Sequence, residues 1–105
     1  VARYMQNEGY DIIPIYPKED TILGKKVYRD VLEIATDIHI DILVVFRKPA
    51  YLNDLMPKIK NSTNIGFVWT QLDIVNDEAM ASLANIPYVQ NKCIMVEHRK
   101  IKDTL

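Results

Sequence analysis

Trp69 and Gln71 stand at the end of the apolar run "IGFVWT" (65–70), where a large aromatic ring is followed by an uncharged amide. Two other apolar runs end in a similar way. "DIIPIYPK" (11–18) closes on Tyr16, Pro17 and Lys18, and "DILVVFRKP" (41–49) closes on Phe46, Arg47 and Lys48. These residue types suit recognition better than bond breaking. Trp69, Phe46 and Tyr16 offer flat apolar faces for an adenine ring or a pantetheine arm. Gln71 and the backbone around Pro14–Pro17 could meet ring and amide polar atoms by hydrogen bonds. Arg47 offers a bidentate fork to a phosphate, and Lys18 and Lys48 offer point charges. An adenine nucleotide with several phosphates would use all three kinds of contact. The plainer alternative is that Trp69 and Phe46 are core, with Arg47 and Lys18 laying their stems along the rim.

Other reactive types lack the company that chemistry requires. Cys93 is the one cysteine, so no internal disulfide can form, and the pattern fits a reducing cytoplasm. His98 lies five residues from Cys93, a spacing that pairs side chains on neither a helix nor a strand. A buried structural role is therefore expected for Cys93. His39 and His98 show no metal-ligand spacing with it, and Asp77 and Glu78 read as first-turn acids of a helix. No paired carboxylates and no Ser–His–Asp order stand out, so the sequence is read as that of a binding protein and not of an enzyme.

The elements that must position these residues can be read along the chain. With 105 residues, 49% of them hydrophobic, the sequence suits a single domain over 1–105 with a modest core. Basic and acidic residues number 13 and 14, which gives no basic excess for nucleic acid or an anionic membrane. No apolar stretch approaches the ~20 residues needed to cross a bilayer. "VARYMQNE" (1–8) predicts the end of an amphipathic helix stopped by Gly9, with Val1, Met5 and Tyr4 on one face. "DIIPIY" (11–16) predicts a strand, placed at an edge or an end by Pro14. Residues 17–28 read as a loop, and 29–36 as about two helical turns with Val31, Leu32 and Ala35 inward.

"DILVVF" (41–46) reads as a strand covered on both faces. Residues 53–62 suit a helix with Asn53 as N-cap and Pro57 near its first turn. "IGFVWT" (65–70) is another strand. Asn76-Asp77-Glu78 opens a helix through about Asn85. "YVQN" (88–91) is a weaker strand, and 92–101 a final strand or short helix. The alternation predicts an α/β fold with a parallel sheet, helices on both faces and right-handed crossovers. In such a sheet the strand C-termini share one edge, where ligands bind, so the three unusual endings would line one crevice.

The ordered set of these segments resembles a known family. "VARYMQNEGYDIIPIYPK", "ILGKKVY", "DILVVFRKP", "FVWTQLDIVNDEA" and "KCIMVEH" together resemble the small Rossmann-like CoA-binding proteins of bacteria, relatives of the CoA-binding domain of the succinyl-CoA synthetase alpha subunit. The resemblance implies a non-catalytic protein that binds coenzyme A or an acyl-CoA. It assigns the ligand contacts to Pro14, Ile15, Tyr16, Pro17 and Lys18, to Phe46, Arg47 and Lys48, and to Trp69, Gln71 and Leu72. Three positions depart from the family pattern. Tyr16 stands for an Asn, Val44 for an acidic residue, and Asp73 for the Gly after the Gln-Leu pair. The family also begins with a strand and a glycine-containing phosphate loop ahead of the helix that opens this chain. Residues of a longer parent are expected to supply them, the missing strand being the central one of a 3-2-1-4-5 sheet.

Two other functions compete. An NAD-type dinucleotide site would carry an acid after the second strand to grip the ribose, and Tyr16-Pro17-Lys18 stands there instead. A domain that has traded its nucleotide for a protein partner would account for the three departures. Pairing into a homodimer through exposed helices or edges is also compatible with a small sheet of this kind.

Overall fold

Val44 faces Trp69 across a parallel ladder in a computed structural model that describes residues 1–34, 37–60, 64–83 and 85–104. The chain divides into two compact units, Val1–Ala35 and Thr36–Leu105. Each is built on its own logic.

The first unit opens with α1 (Ala2–Asn7), which buries Met5 and stops where Gly9 takes φ 95°. That left-handed turn is open to glycine at little cost, as the sequence implied. The strand expected over 11–16 is reduced to one parallel bridge between Ile15 and Tyr28, flanked by Tyr16 N–H to Tyr28 O (2.9 Å) and Tyr28 N–H to Pro14 O (3.0 Å). Pro14 has no N–H to give a ladder, which accounts for the shortening. The expected loop over 17–28 instead contains a hairpin. β1 (Thr21–Ile22) pairs antiparallel with β2 (Lys25–Lys26) around Leu23 (φ 51°) and Gly24 (φ 75°). Two consecutive positive φ values match the twist of a two-residue hairpin loop.

The helix expected over 29–36 is a single 3₁₀ turn, Val31–Glu33, capped by Asp30, whose Oδ1 accepts from Leu32 N–H at 3.0 Å. Val31 and Ile34 are buried, but Leu32 is 63% exposed, contrary to its expected core role, and Ala35 lies outside the described residues. Three residues to a turn place positions 31 and 34 on one side and turn 32 away from it.

The second unit carries a three-stranded parallel sheet in the order β3 (Leu43–Val45), β4 (Val68–Thr70), β5 (Tyr88–Val89). The α/β class with a parallel sheet is as the sequence implied. A further parallel bridge, Ile40 with Ile65, starts the β3–β4 pairing, and Leu43 N–H continues it to Phe67 O at 2.8 Å. In β3 only Val45 is fully buried; Leu43 and Val44 are half-buried, less covered than the unbroken apolar run suggested.

Between these strands lies α2 (Tyr51–Lys60), with Leu52, Leu55, Met56 and Ile59 buried at one-face spacing. It starts two residues earlier than expected. Asn53 therefore falls inside it, not at its cap, and Pro57 falls in its interior. A proline there forfeits one intrahelical bond and costs about 3 kcal/mol in a free helix. The four buried side chains outweigh that cost. Asn61 and Ser62 lie outside the described residues. α3 (Asp77–Ala81) begins at the predicted cap, Asn76, but is shorter than the span to Asn85 expected for it. α4 (Ile94–Thr104) settles the ambiguous C-terminal segment as helix. Leu52, Ile59, Val68 and Met80, each essentially inaccessible, form the centre of this unit's core. No helix among the described residues is long and apolar enough to cross a membrane.

Candidate functional site

Parallel pairing decides where the unusual residues go. Leu43 pairs with Val68, and Val45 with Thr70, so both strands run out at the same level. Gln71 N–H extends the ladder to Val45 O at 3.2 Å. The residues after β3 (Phe46, Arg47, Lys48) and after β4 (Gln71, Leu72) therefore leave the sheet from one edge. β5 ends there too: Lys92 N–H donates to Thr70 O at 3.3 Å. This is the edge where open parallel sheets place ligands.

The side chains on that edge divide into exposed and engaged. Phe46 is 56% and Leu72 58% exposed, high values for large apolar groups placed between a strand and a helix. Arg47 and Lys48 are exposed as well. The Arg47 guanidinium stacks over the ring of Tyr51, the first residue of α2, 4.5 Å from its centroid. A cation held on a ring face keeps its edge N–H groups for an incoming anion.

Trp69 is half-buried, 6.3 Å from Phe67 between ring centroids, and its indole Nε1–H donates to Lys92 O at 2.7 Å. It thus fastens the β5–α4 loop to β4. Gln71 is turned inward and 8% exposed. Its Oε1 accepts from Ile94 N–H at 2.9 Å, and its Nε2 donates to Cys93 Sγ at 3.7 Å. The amide expected to read a ligand is engaged at both ends, tying β4 to the first residue of α4.

Cys93 is half-buried rather than fully enclosed. Its thiol is lowered below the ordinary cysteine value. The Val96 N–H in the first turn of α4 contributes most, partial burial opposes, and the Met95 N–H and the Gln71 amide assist. Its surroundings favour the thiolate, and its half-buried place differs from the buried structural role expected of it.

The backbone of this edge is set by two residues in the left-handed region, Asp73 (φ 66°) and Asn91 (φ 60°). Asn91 Oδ1 accepts from Asp73 N–H at 2.7 Å. Thr70, fully buried, donates through Oγ1 to Ile74 O (2.6 Å) and accepts from Asn91 N–H (3.1 Å). The Gly that the resemblance implies at position 73 would suit this turn, which holds a positive φ there.

Pro14, Ile15, Tyr16, Pro17 and Lys18 lie in the first unit. Pro14 and Ile15 are half-buried, while Tyr16, Pro17 and Lys18 are exposed. Arg29 holds this stretch through Nη1 to Tyr16 O (2.9 Å) and Glu19 O, and through Nη2 to Asp20 Oδ1 (2.6 Å). The structure thus brings Phe46, Arg47, Lys48, Trp69, Gln71 and Leu72 to one sheet edge, and orders 14–18 separately. Sequence reasoning missed Lys92, an exposed cation at the end of β5. The same rule of strand C-termini would have found it, had the weak strand at 88–91 been followed to its end.

Comparison with known proteins gives a consistent result. A family model described as CoA binding domain matches residues 1–99, across both units. An uncharacterized protein of Bacillus subtilis (strain 168), YneT, is 35% identical over 104 residues, covering 97% of this chain and 75% of that protein. Among solved structures, a Thermus thermophilus protein superposes with a TM-score of 0.86 at 33% identity, covering 94% of this chain and 75% of the other. A hypothetical protein from Pyrococcus horikoshii OT3 superposes with 0.85 at 30% identity, over 95% and 70%.

Proposed function

This chain belongs to the CoA-binding domain family, and from that premise we propose that it binds coenzyme A or an acyl-CoA in the cytoplasm without transforming it. The observation that carries the reading is the exposure of Phe46 and Leu72 on the same sheet edge as Arg47, Lys48 and Lys92. Exposed apolar groups offer a surface to the adenine ring or the pantetheine arm, and the cations offer charge to the phosphates. Arg47, braced on Tyr51, suits a phosphate because its planar fork is already oriented. Lys18 is assigned a similar part only by the family resemblance, and it is tested on its own.

Binding without turnover is proposed because the sequence shows no paired carboxylates and no Ser–His–Asp order. The test is calorimetric titration of the protein with coenzyme A, its 3′-dephospho form and NAD. Coenzyme A binds most tightly, the dephospho form more weakly, and NAD weakest. Arg47→Ala weakens coenzyme A about tenfold, the scale of one charge-assisted contact of ~1.4 kcal/mol. Arg47→Lys recovers only part, since a lysine cannot reproduce the fork. Lys18→Ala tests whether that residue takes part. No heat with coenzyme A overturns the reading and turns attention to a protein partner.

A further inference from the structure

The three loops that leave the sheet edge share one residue. Asn76, half-buried, precedes α3. Its backbone N–H donates to Gln90 Oε1 at 2.7 Å, reaching the segment after β5. Its side-chain Oδ1 accepts from Ala79 N–H at 3.1 Å and so caps α3. Its Nδ2 donates to Pro49 O at 3.0 Å and to Asn53 Oδ1 at 3.1 Å. The amide orientation is dictated by these neighbours: one end faces a donor and the other faces two oxygens.

A helix cap needs only the first of the side-chain contacts, and Asp, Ser or Thr would serve as well. The two donations from Nδ2 do something more. Pro49 follows Lys48 directly, so its carbonyl anchors the loop that carries Phe46, Arg47 and Lys48. Asn53 sits in the first turn of the helix on which Arg47 is stacked. Gln90 lies two residues before Lys92 and donates onward from Nε2 to Asp77 Oδ1 at 2.9 Å. No other common side chain of this length both accepts a backbone N–H and donates twice.

We infer that Asn76 is a positioning residue of the ligand site, its amide latching the β3–α2 loop to the β4–α3 and β5–α4 loops so that Phe46, Arg47 and Lys48 are presented in fixed register with Leu72 and Lys92. The consequence for binding rests on the function proposed above, whereas the consequence for the loop rests on the hydrogen bonds alone. A preorganised loop spares the ordering cost that a free one would incur on binding.

Two variants separate latch from cap. Asn76→Asp keeps an acceptor for Ala79 N–H but gives up both Nδ2 donors and sets a carboxylate against Pro49 O. Asn76→Ala loses cap and latch together. Coenzyme A affinity is measured by calorimetry at a temperature well below unfolding, and backbone order parameters of residues 46–48 and 50 are measured by NMR without ligand. The latch predicts that Asn76→Asp binds coenzyme A about tenfold more weakly, close to Asn76→Ala, and that these order parameters fall below those of the parent protein. Asn53→Ala, on an exposed position that leaves the cap intact, weakens binding about two- to threefold. A pure capping role predicts instead that Asn76→Asp retains parental affinity and order parameters; that result overturns the inference. Should the parent protein give no heat with coenzyme A, the binding proposal fails by itself. The order parameters of Asn76→Asp then decide the latch: lowered values support it and unchanged values reject it.

Discussion

Asp73 illustrates how one residue can carry two unrelated effects. Its φ of 66° belongs to the left-handed region, where a side chain other than Gly, Asn or Asp is strained by about 1–2 kcal/mol. Asp tolerates the conformation, and Asn91 Oδ1 holds its N–H in place. Asp73→Val is therefore expected to destabilise the protein by about 1–2 kcal/mol, read from urea unfolding. Asp73→Gly is expected to stay within about 1 kcal/mol of the parent, because relief of strain is offset by the greater freedom of glycine in the unfolded chain. The second effect is charge. Removing the carboxylate from an edge proposed to take phosphates raises coenzyme A affinity at low ionic strength, and the gain shrinks as salt is added. A Val variant as stable as the Gly variant would show that the turn is not held as described.

The elements around this edge work mainly through their ends. α4 begins where Gln71 Oε1 accepts from Ile94 N–H, and Cys93 stands just before it. The first-turn amides of Val96 and Met95 that lower the thiol act because they point along the helix axis with no intrahelical acceptor of their own. Cys93 is therefore expected to react with iodoacetamide along a pH profile that inflects below that of the same cysteine in the unfolded chain. Gln71→Leu moves the inflection upward, but by less than the whole shift, since the Val96 N–H remains. An inflection at or above that of the unfolded chain would contradict this geometry.

The folded state holds the thiolate more readily than the unfolded chain. Its stabilising contribution is complete above the unfolded thiol value and disappears as pH falls through the folded one.

At the scale of the whole molecule, burial separates the residues that hold the second unit together from those available to a ligand. Met80 is inaccessible to solvent, whereas Leu72 is 58% exposed. Met80→Ala is expected to cost about 2–5 kcal/mol, from lost transfer energy and the cavity left behind. Leu72→Ala is expected to change stability by no more than about 0.5 kcal/mol. Denaturant unfolding of both variants checks the contrast. A Leu72 variant as damaged as the Met80 variant would mean that Leu72 packs in the fold and does not face a ligand.

Much of this organisation was present in the order of residue types alone. Apolar runs such as "DILVVF" and "IGFVWT", separated by helical spacing, require a parallel sheet, because crossover helices leave no other economical pairing. Asn76 announced its helix, since an acceptor side chain before two acids is a local device whose energy needs no distant partner. The aromatic and basic residues after β3 and β4 could be placed on one edge from parallel topology. What the residues did not contain was the use each side chain would find once the strands were in register. Trp69 and Gln71 read as ligand groups, and only the fold shows that Lys92, Cys93 and Ile94 engage their polar atoms. Pro57 read as lying near a helix's first turn, but it falls inside α2, where four buried side chains outweigh its missing N–H. The hairpin at 21–26 was hidden because Leu23 is not a residue that advertises a positive φ. Local devices cost and gain energy within a few residues and so show in sequence. Register, burial and the partners of a long side chain depend on segments twenty or more residues apart, and only the folded chain decides them.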